Sequence, residues 1–356
     1  MPKHYFFLIF SITSLSLHSQ TASLKVQKMV NRAKDSLNVG SIEASFKLLN
    51  SAEKLAPKNK EIQFEKAYVY YVDTQYDKSI EILKNLLEVD STLNENYYVL
   101  LGNSYDLNHE SDSAVYVYKK GISKFPNSGR LRYENGVVAY GMQQYNKAVL
   151  SWEEGVKKDP MYADNYYMLA KTMNFTQEKI WVLLYGELFM NLEQNTERTS
   201  EISKLLFETY RANLIKSKNN KRGFYLTKSL AENSNQTFEA YFNQLLNEGI
   251  TEEVPQRKVT IQDLYILQNE FLKRWYTTNN PKFDFVLLNY QKELQENGLL
   301  EAYTYWLLSE GNFEEFDAWM SNPINSKKME NLSKYVIVHP LQVKPENSIT
   351  RKDFIH

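Results

Sequence analysis

Few residues in this sequence are of a type and spacing that could do covalent chemistry. The five histidines are His4, His18, His109, His339 and His356, and there is no cysteine. A thiolate metal site, a disulfide and a cysteine nucleophile are therefore excluded. No HExxH pair or EF-hand loop offers a metal its ligands. No G-x-x-x-x-G-K or G-x-G-x-x-G run would cradle a phosphate, and no G-x-S-x-G elbow would present a serine. Ser51-Ala-Glu-Lys54 has the spacing of a Ser–Lys nucleophile pair, but it lies inside one helical segment and has no companion motif. The doublets Glu153-Glu154 and Glu314-Glu315 read as solvated helix faces rather than acid/base pairs, and His109 reads as a solvated turn residue. The expectation is a chain with no catalytic apparatus, no metal and no cofactor.

Recognition chemistry is what remains. Phe64, Tyr68 and Tyr71 stand at i, i+4 and i+7, so they share one helix face. Tyr133, Val137 and Tyr140 repeat that relation. Val99, Asn103 and Asp106 fall between the two rows, and Tyr167, Lys171 and Asn174 follow them. Aromatic side chains interspersed with isolated polar groups suit the gripping of a peptide or a helix. Packing of the same aromatics against neighbouring helices is the competing account.

The elements that must position these rows are set by a period. Gly102 aligns with Gly136, Ala114 with Ala148, Tyr118 with Trp152, Gly121 with Gly155 and Pro126 with Pro160, each pair 34 residues apart. Such a period marks a repeat array. Each 34-residue line holds two helix-sized segments, near Glu95–Leu107 and Ser111–Lys124 in the first line and near Gly129–Gly141 and Tyr145–Lys158 in the second. The glycines and alanines let paired helices approach closely, and Tyr105, Tyr118 and Trp152 fill the remaining space. Pro126 and Pro160 each force a turn before the next unit. One helical pair cannot bury both of its apolar sides, so roughly three or more units must stack.

These residues resemble the tetratricopeptide repeat family. Tyr98, Leu101, Gly102, Tyr105, Ala114, Tyr118 and Pro126 match its pattern, with Gly121 the one mild departure, and the next unit matches at Gly136, Ala139, Ala148, Trp152 and Pro160. The resemblance is strong over residues 95–162 and implies an all-α fold, an α-α superhelix whose first helices line a concave groove. Some family members hold a chain-terminal carboxylate there through clustered Lys, Arg and Asn. Phe64, Tyr68 and Leu100 stand where such groups are expected, which disfavours that ligand.

Around this core the rest of the 356-residue chain is read in order. Residues 1–22 read as a secretory signal peptide: Lys3, a short apolar run from Tyr5 to Leu17, then small residues at Ser19 and Ala22. The run is too short to span a bilayer, which needs about 20 apolar residues. The alternatives are an uncleaved N-terminal anchor and a buried N-terminal helix. Residues 24–215 form the array, about five units plus a capping helix from Glu197 to Ile215. Ala67 to Gly102 is a 35-residue step, so one residue is inserted near Asn94. Trp181 to Leu192 is an almost continuous apolar run, with Val182 and Phe189 where small residues are expected. Residues 216–235, with Lys216, Lys218, Lys221 and Arg222, read as a linker or exposed loop. Residues 236–338 form a less regular C-terminal helical domain, one helix of which begins at the capping-type run Thr260-Ile-Gln-Asp263. Residues 339–356 read as an extended tail.

With 42 basic and 43 acidic residues the formal net charge is −1, which argues against a nucleic-acid partner. The reading is a non-enzymatic scaffold or adaptor of the bacterial cell envelope, exported to the periplasm, with a protein or peptide partner and no membrane span after signal removal. The expected contact residues are Phe64, Tyr68, Tyr71, Asn103, Asp106, Tyr133, Val137, Tyr140, Tyr167, Lys171 and Asn174. One alternative is a structural spacer or oligomer subunit. The other is an enzyme whose C-terminal domain is catalytic, with a cleft of convergent acids near Glu293, Glu296 or Glu314.

Overall fold

The computed structural model describes residues 23–89, 94–216, 222–227, 237–250, 259–277 and 284–354. The expected signal segment, and Lys218 and Lys221 of the Lys/Arg cluster, lie outside these residues. Among the described residues the chain is all-α apart from one two-stranded ribbon. Helix α1 covers residues 23–38. Then come α2 (Ile42–Leu55), α3 (Lys60–Val72), α4 (Tyr76–Val89), α5 (Glu95–Leu107), α6 (Ser111–Lys124), α7 (Gly129–Gly141), α8 (Tyr145–Lys158), α9 (Ala163–Met173), α10 (Lys179–Leu192) and α11 (Glu197–Asn213). The second helices α6, α8 and α10 start at Ser111, Tyr145 and Lys179, in steps of 34. The first helices α5, α7 and α9 start at Glu95, Gly129 and Ala163 in the same step, and α11 continues it at Glu197. The helix expected to cap the array therefore opens in the register of a further first helix. The inserted residue falls between α4 and α5.

The turn inside the first four pairs recurs with the helices. Gly40, Thr74, His109 and Gln143 have φ of 77°, 59°, 63° and 60°. Each ends a first helix in the left-handed region, and after the first three the next amide reaches back over the helix end. The Ser41 amide donates to Ser36 at 2.8 Å, that of Gln75 to Tyr70 at 2.8 Å and that of Glu110 to Tyr105 at 2.8 Å. His109 is exposed there, so its role is conformational. The fifth pair lacks this turn: residues 174–178 replace it.

Packing explains the small-residue ladder. A Cβ on Gly102 would lie 2.3 Å from Cε1 of Tyr118, and one on Gly136 would lie 2.2 Å from Nε1 of Trp152. Tyr118 and Trp152 are fully buried on those glycines. Trp152 also donates its indole N–H to the Tyr133 carbonyl at 3.1 Å. In the fifth pair the aromatic position is taken by Gly186, where a Cβ would lie 2.8 Å from Leu206 of α11. That glycine lets α11 lie close on the apolar α10, which has eleven buried residues from Ile180 to Met190.

The chain divides into two compact units, residues up to 126 with 137–143, and residues 127–136 with 144–356, so the division passes through α7. In the second unit, β1 (Leu214–Lys216) pairs antiparallel with β2 (Arg222–Phe224), which places a ribbon at the start of the segment expected to be a loop. There follow α12 (Phe238–Glu248), α13 (Ile261–Thr277), α14 (Val286–Glu296), α15 (Leu300–Leu308), α16 (Phe313–Met320) and α17 (Pro323–Val338). Thr260 and Asp263 cap α13 reciprocally, through Thr260 N to Asp263 Oδ2 at 3.0 Å and Asp263 N to Thr260 Oγ1 at 3.1 Å. After α17, Leu341, Val343, Ser348 and Thr350 are buried.

Candidate partner-binding face

The expected contact residues sit on first helices, and each compact unit holds its own set. In the first unit, Phe64, Tyr68 and Tyr71 follow one face of α3. Tyr68 is 41% exposed, and its ring stacks on Tyr71 with centroids 6.2 Å apart and planes 15° apart. Tyr71 also meets Tyr76 edge-on at 5.9 Å, and Phe64 packs on Tyr97 of α5 at 5.5 Å. Asn103 and Asp106 are engaged within the fold: the Tyr118 hydroxyl donates to Asn103, and the Ser111 hydroxyl donates to Asp106 at 2.9 Å. Val137 and Tyr140, in the later turns of α7, are half-buried.

In the second unit Tyr133 packs edge-on against Tyr162 at 6.0 Å. Burial, aided by the Asp164 carboxylate, pushes its hydroxyl up to about 12, so it stays a donor at neutral pH. Tyr167 packs on Phe189 at 5.2 Å and donates to Glu201 at 2.5 Å. Lys171 lies 2.8 Å from Glu201 and donates to the Tyr167 hydroxyl at 3.1 Å. Burial works against the Lys171 charge, but Glu201 and Tyr167 outweigh it and hold the ammonium above its usual range. Arg198 lies over the Tyr167 ring at 5.0 Å and pairs with Asp164 at 2.5 Å. The Asn174 carbonyl and side-chain oxygen accept from Lys179. Lys171 and Asn174 are thus internal ties of the last regular units.

The groups whose types could have done covalent chemistry have structural partners. Ser51 donates to the Lys47 carbonyl one turn back, at 2.7 Å. Glu293 accepts from the Tyr335 hydroxyl, and Glu296 lies 3.6 Å from Lys292. A shallow cleft of about 450 Å³ lies beside Tyr290, Glu293 and His339, and Glu293 is the one carboxylate lining it among the described residues. No group of three or more His, Asp or Glu side chains among the described residues is arranged to hold a metal ion.

Glu154 and Glu314 are exposed as read, but the other member of each acidic doublet differs from its reading as a solvated face. Glu153 is fully buried at its side chain and 2.7 Å from Arg351 Nε, with the Tyr185 hydroxyl donating to it at 3.0 Å. Glu315 accepts from the amides of Ile261 at 2.8 Å and Gln262 at 3.0 Å, so it caps the start of α13. Their partners are 198 and 54 residues away, which no local pattern discloses. Sequence reasoning also missed Glu187, buried in α10. Gln291 donates to it at 2.5 Å and Tyr303 at 2.8 Å, and burial pushes its carboxyl up to about 7.

No protein-family model matches the sequence, and no curated protein matches it. Solved structures do. The crystal structure of MamA aligns at 18% identity and a TM-score of 0.38, over 45% of this chain and 93% of that one. A thermophilic TPR protein of Thermus thermophilus aligns at 15% identity and 0.43, over 51% and 98%. PilF of Pseudomonas aeruginosa aligns at 14% and 0.46, over 54% and 86%. The fold itself rests on this chain's own geometry. From α5 onward helix pairs recur every 34 residues, glycine-seated aromatics lock the third and fourth pairs, and a left-handed residue closes the inner turn of the first four; this is the architecture of a tetratricopeptide-type α-solenoid.

Proposed function

We propose that this protein is a non-enzymatic protein–protein interaction scaffold, one that holds a peptide or helix against the aromatic faces of its first helices. The observation that carries the reading is the Tyr68–Tyr71 stack on α3, with Tyr68 left 41% exposed. Stacked tyrosines give a partner a large rigid contact area at low entropic cost. Tyr133 offers a second such ring, held as a hydrogen-bond donor. The proposal includes export to the periplasm or cell envelope, supported by the composition of residues 1–22, and the division into an array at 24–215, a linker at 216–235 and a C-terminal helical domain at 236–338. None of the helices in the described residues is long and apolar enough to cross a membrane.

The test pairs binding with folding. Tyr68→Ala and Tyr133→Ala are expected to weaken a captured partner while leaving the thermal transition in place. Loss of the helical signal in both variants would instead assign these rings to packing. Mass spectrometry of the mature N-terminus tests the export claim: a chain starting near Gln20 or Ser23 supports it, and an intact Met1 removes it.

A further inference from the structure

The last described residues are held by a face built from second helices, and that face has the chemistry of a binding site. Glu153 and Lys157 are i, i+4 neighbours on α8, and Trp181 and Tyr185 are i, i+4 neighbours on α10, so each pair shares a helix side. Arg351 Nε reaches Glu153 at 2.7 Å, and its amide donates to the Tyr185 hydroxyl at 3.3 Å. Lys157 donates to the Ser348 carbonyl at 2.6 Å and pairs with Asp353 at 2.8 Å. Phe354 stacks on Phe238 of α12 with centroids 4.4 Å apart and planes 16° apart, and meets Trp181 at 5.9 Å. The segment keeps its own shape through Thr350 and Asp353, which cap each other like a short helix start.

We propose that this face is a second peptide-binding site, specific for a basic–aromatic segment of the form Arg-x-x-Phe, and that residues 348–354 are its resident ligand in cis. The carboxylate of Glu153 has a fully buried side chain, and an uncompensated buried charge is strongly unfavourable. The face therefore demands a cation. Its Oε2 has no hydrogen-bond partner among the described residues, while Oε1 takes Arg351, so one acceptor of the carboxylate is left for a second N–H of a guanidinium. The rings of Phe238 and Trp181 supply the aromatic half. The cis segment is short and irregular: Ser348 and Thr350 are buried, while Arg351 and Phe354, the two side chains that meet the face, are only partly covered. Tethering gives such a ligand an effective concentration on the order of millimolar, so a free peptide competes only when the tether's grip is reduced.

The experiment uses the full chain and a fluorescein-labelled synthetic peptide of residues 344–356. Full-length protein carrying Arg351→Glu with Phe354→Ala should bind this peptide at least about tenfold more tightly than the unmodified protein does. A peptide with the same two substitutions should not bind. Equal binding to both proteins, or equal binding of both peptides, would overturn the proposal. Hydrogen exchange on the unmodified chain supplies a second reading: amides of 348–354 should exchange faster than those of α8 and α10. Exchange in step with α8 and α10, or loss of folding in the double variant, would make the segment part of the core and overturn the proposal as well. Tyr68→Ala should leave this binding unchanged, so the site stands or falls apart from the first-helix face.

Discussion

Substituting Gly136 by alanine would put a methyl group 2.2 Å from the Trp152 indole nitrogen, with two further indole carbons at 2.6 Å. Trp152 is fully buried and donates to the Tyr133 carbonyl at 3.1 Å, so it cannot move aside without losing that bond. Overpacking of this kind costs about 1–3 kcal/mol. A lost hydrogen bond adds about 1 kcal/mol. Alanine's better helix propensity returns about 1 kcal/mol. The net expectation from these three effects is destabilisation of about 1–3 kcal/mol. Gly141 of the same helix supplies the control, because a Cβ there meets nothing within 4 Å and its φ is not in the left-handed region. Gly141→Ala should be neutral or stabilising by up to about 1 kcal/mol. Urea unfolding followed by circular dichroism reads both variants, and Trp152→Leu in the Gly136→Ala background should recover part of the loss. If Gly136→Ala proved as harmless as Gly141→Ala, the glycine-seated aromatic would not be what locks this pair.

Other expectations follow from the same geometry. Glu187 has its folded value raised from 4.5 to about 7 by burial, so its protonated form is the one the fold prefers; its contribution is complete below about 4.5 and is lost as pH rises to 7. The shift corresponds to about 3 kcal/mol, and Glu187→Gln should flatten the decline in stability that chemical denaturation follows across that pH range. Thr74, a β-branched residue at φ 59°, carries strain of about 1–2 kcal/mol, and Thr74→Gly should raise the melting temperature, whereas Gly40→Ala, at φ 77° with open space around the added methyl, should lower it. Glu315→Ala should remove the acceptor for two amides of α13 and cost about 1 kcal/mol, read as a lower urea midpoint.

The sequence made the array legible because its constraints are local. A glycine must face an aromatic sixteen residues later, as Gly102 faces Tyr118 and Gly136 faces Trp152, and that rule repeats within 34 residues. The first-helix rows were legible for the same reason: i, i+4, i+7 spacing puts Phe64, Tyr68 and Tyr71 on one side of α3 whatever lies opposite. The sequence could not say which polar residues the fold itself would consume. Asn103 is taken by Tyr118 and Lys171 by Glu201, both through contacts between helices. Distant partners hid the buried carboxylates, since Glu153 becomes intelligible only when Arg351 arrives beside it. The register of α11 was open to discovery in the 34-residue step itself, but its side chains had stopped following the pattern: Lys204 stands where Gly102, Gly136 and Ala170 stand in earlier units.

The scaffold reading is tested most directly by photo-cross-linking from single sites in the full-length protein, with a photoreactive amino acid at position 68 on α3 or position 116 on α6. Tyr116 is 68% exposed, so it is an accessible control on a second helix. The account predicts a reproducible protein adduct from position 68 that Tyr71→Ala diminishes, and little from position 116. Adducts from position 116 alone would contradict it, because the partner would then meet the second helices instead of the aromatic face of the first.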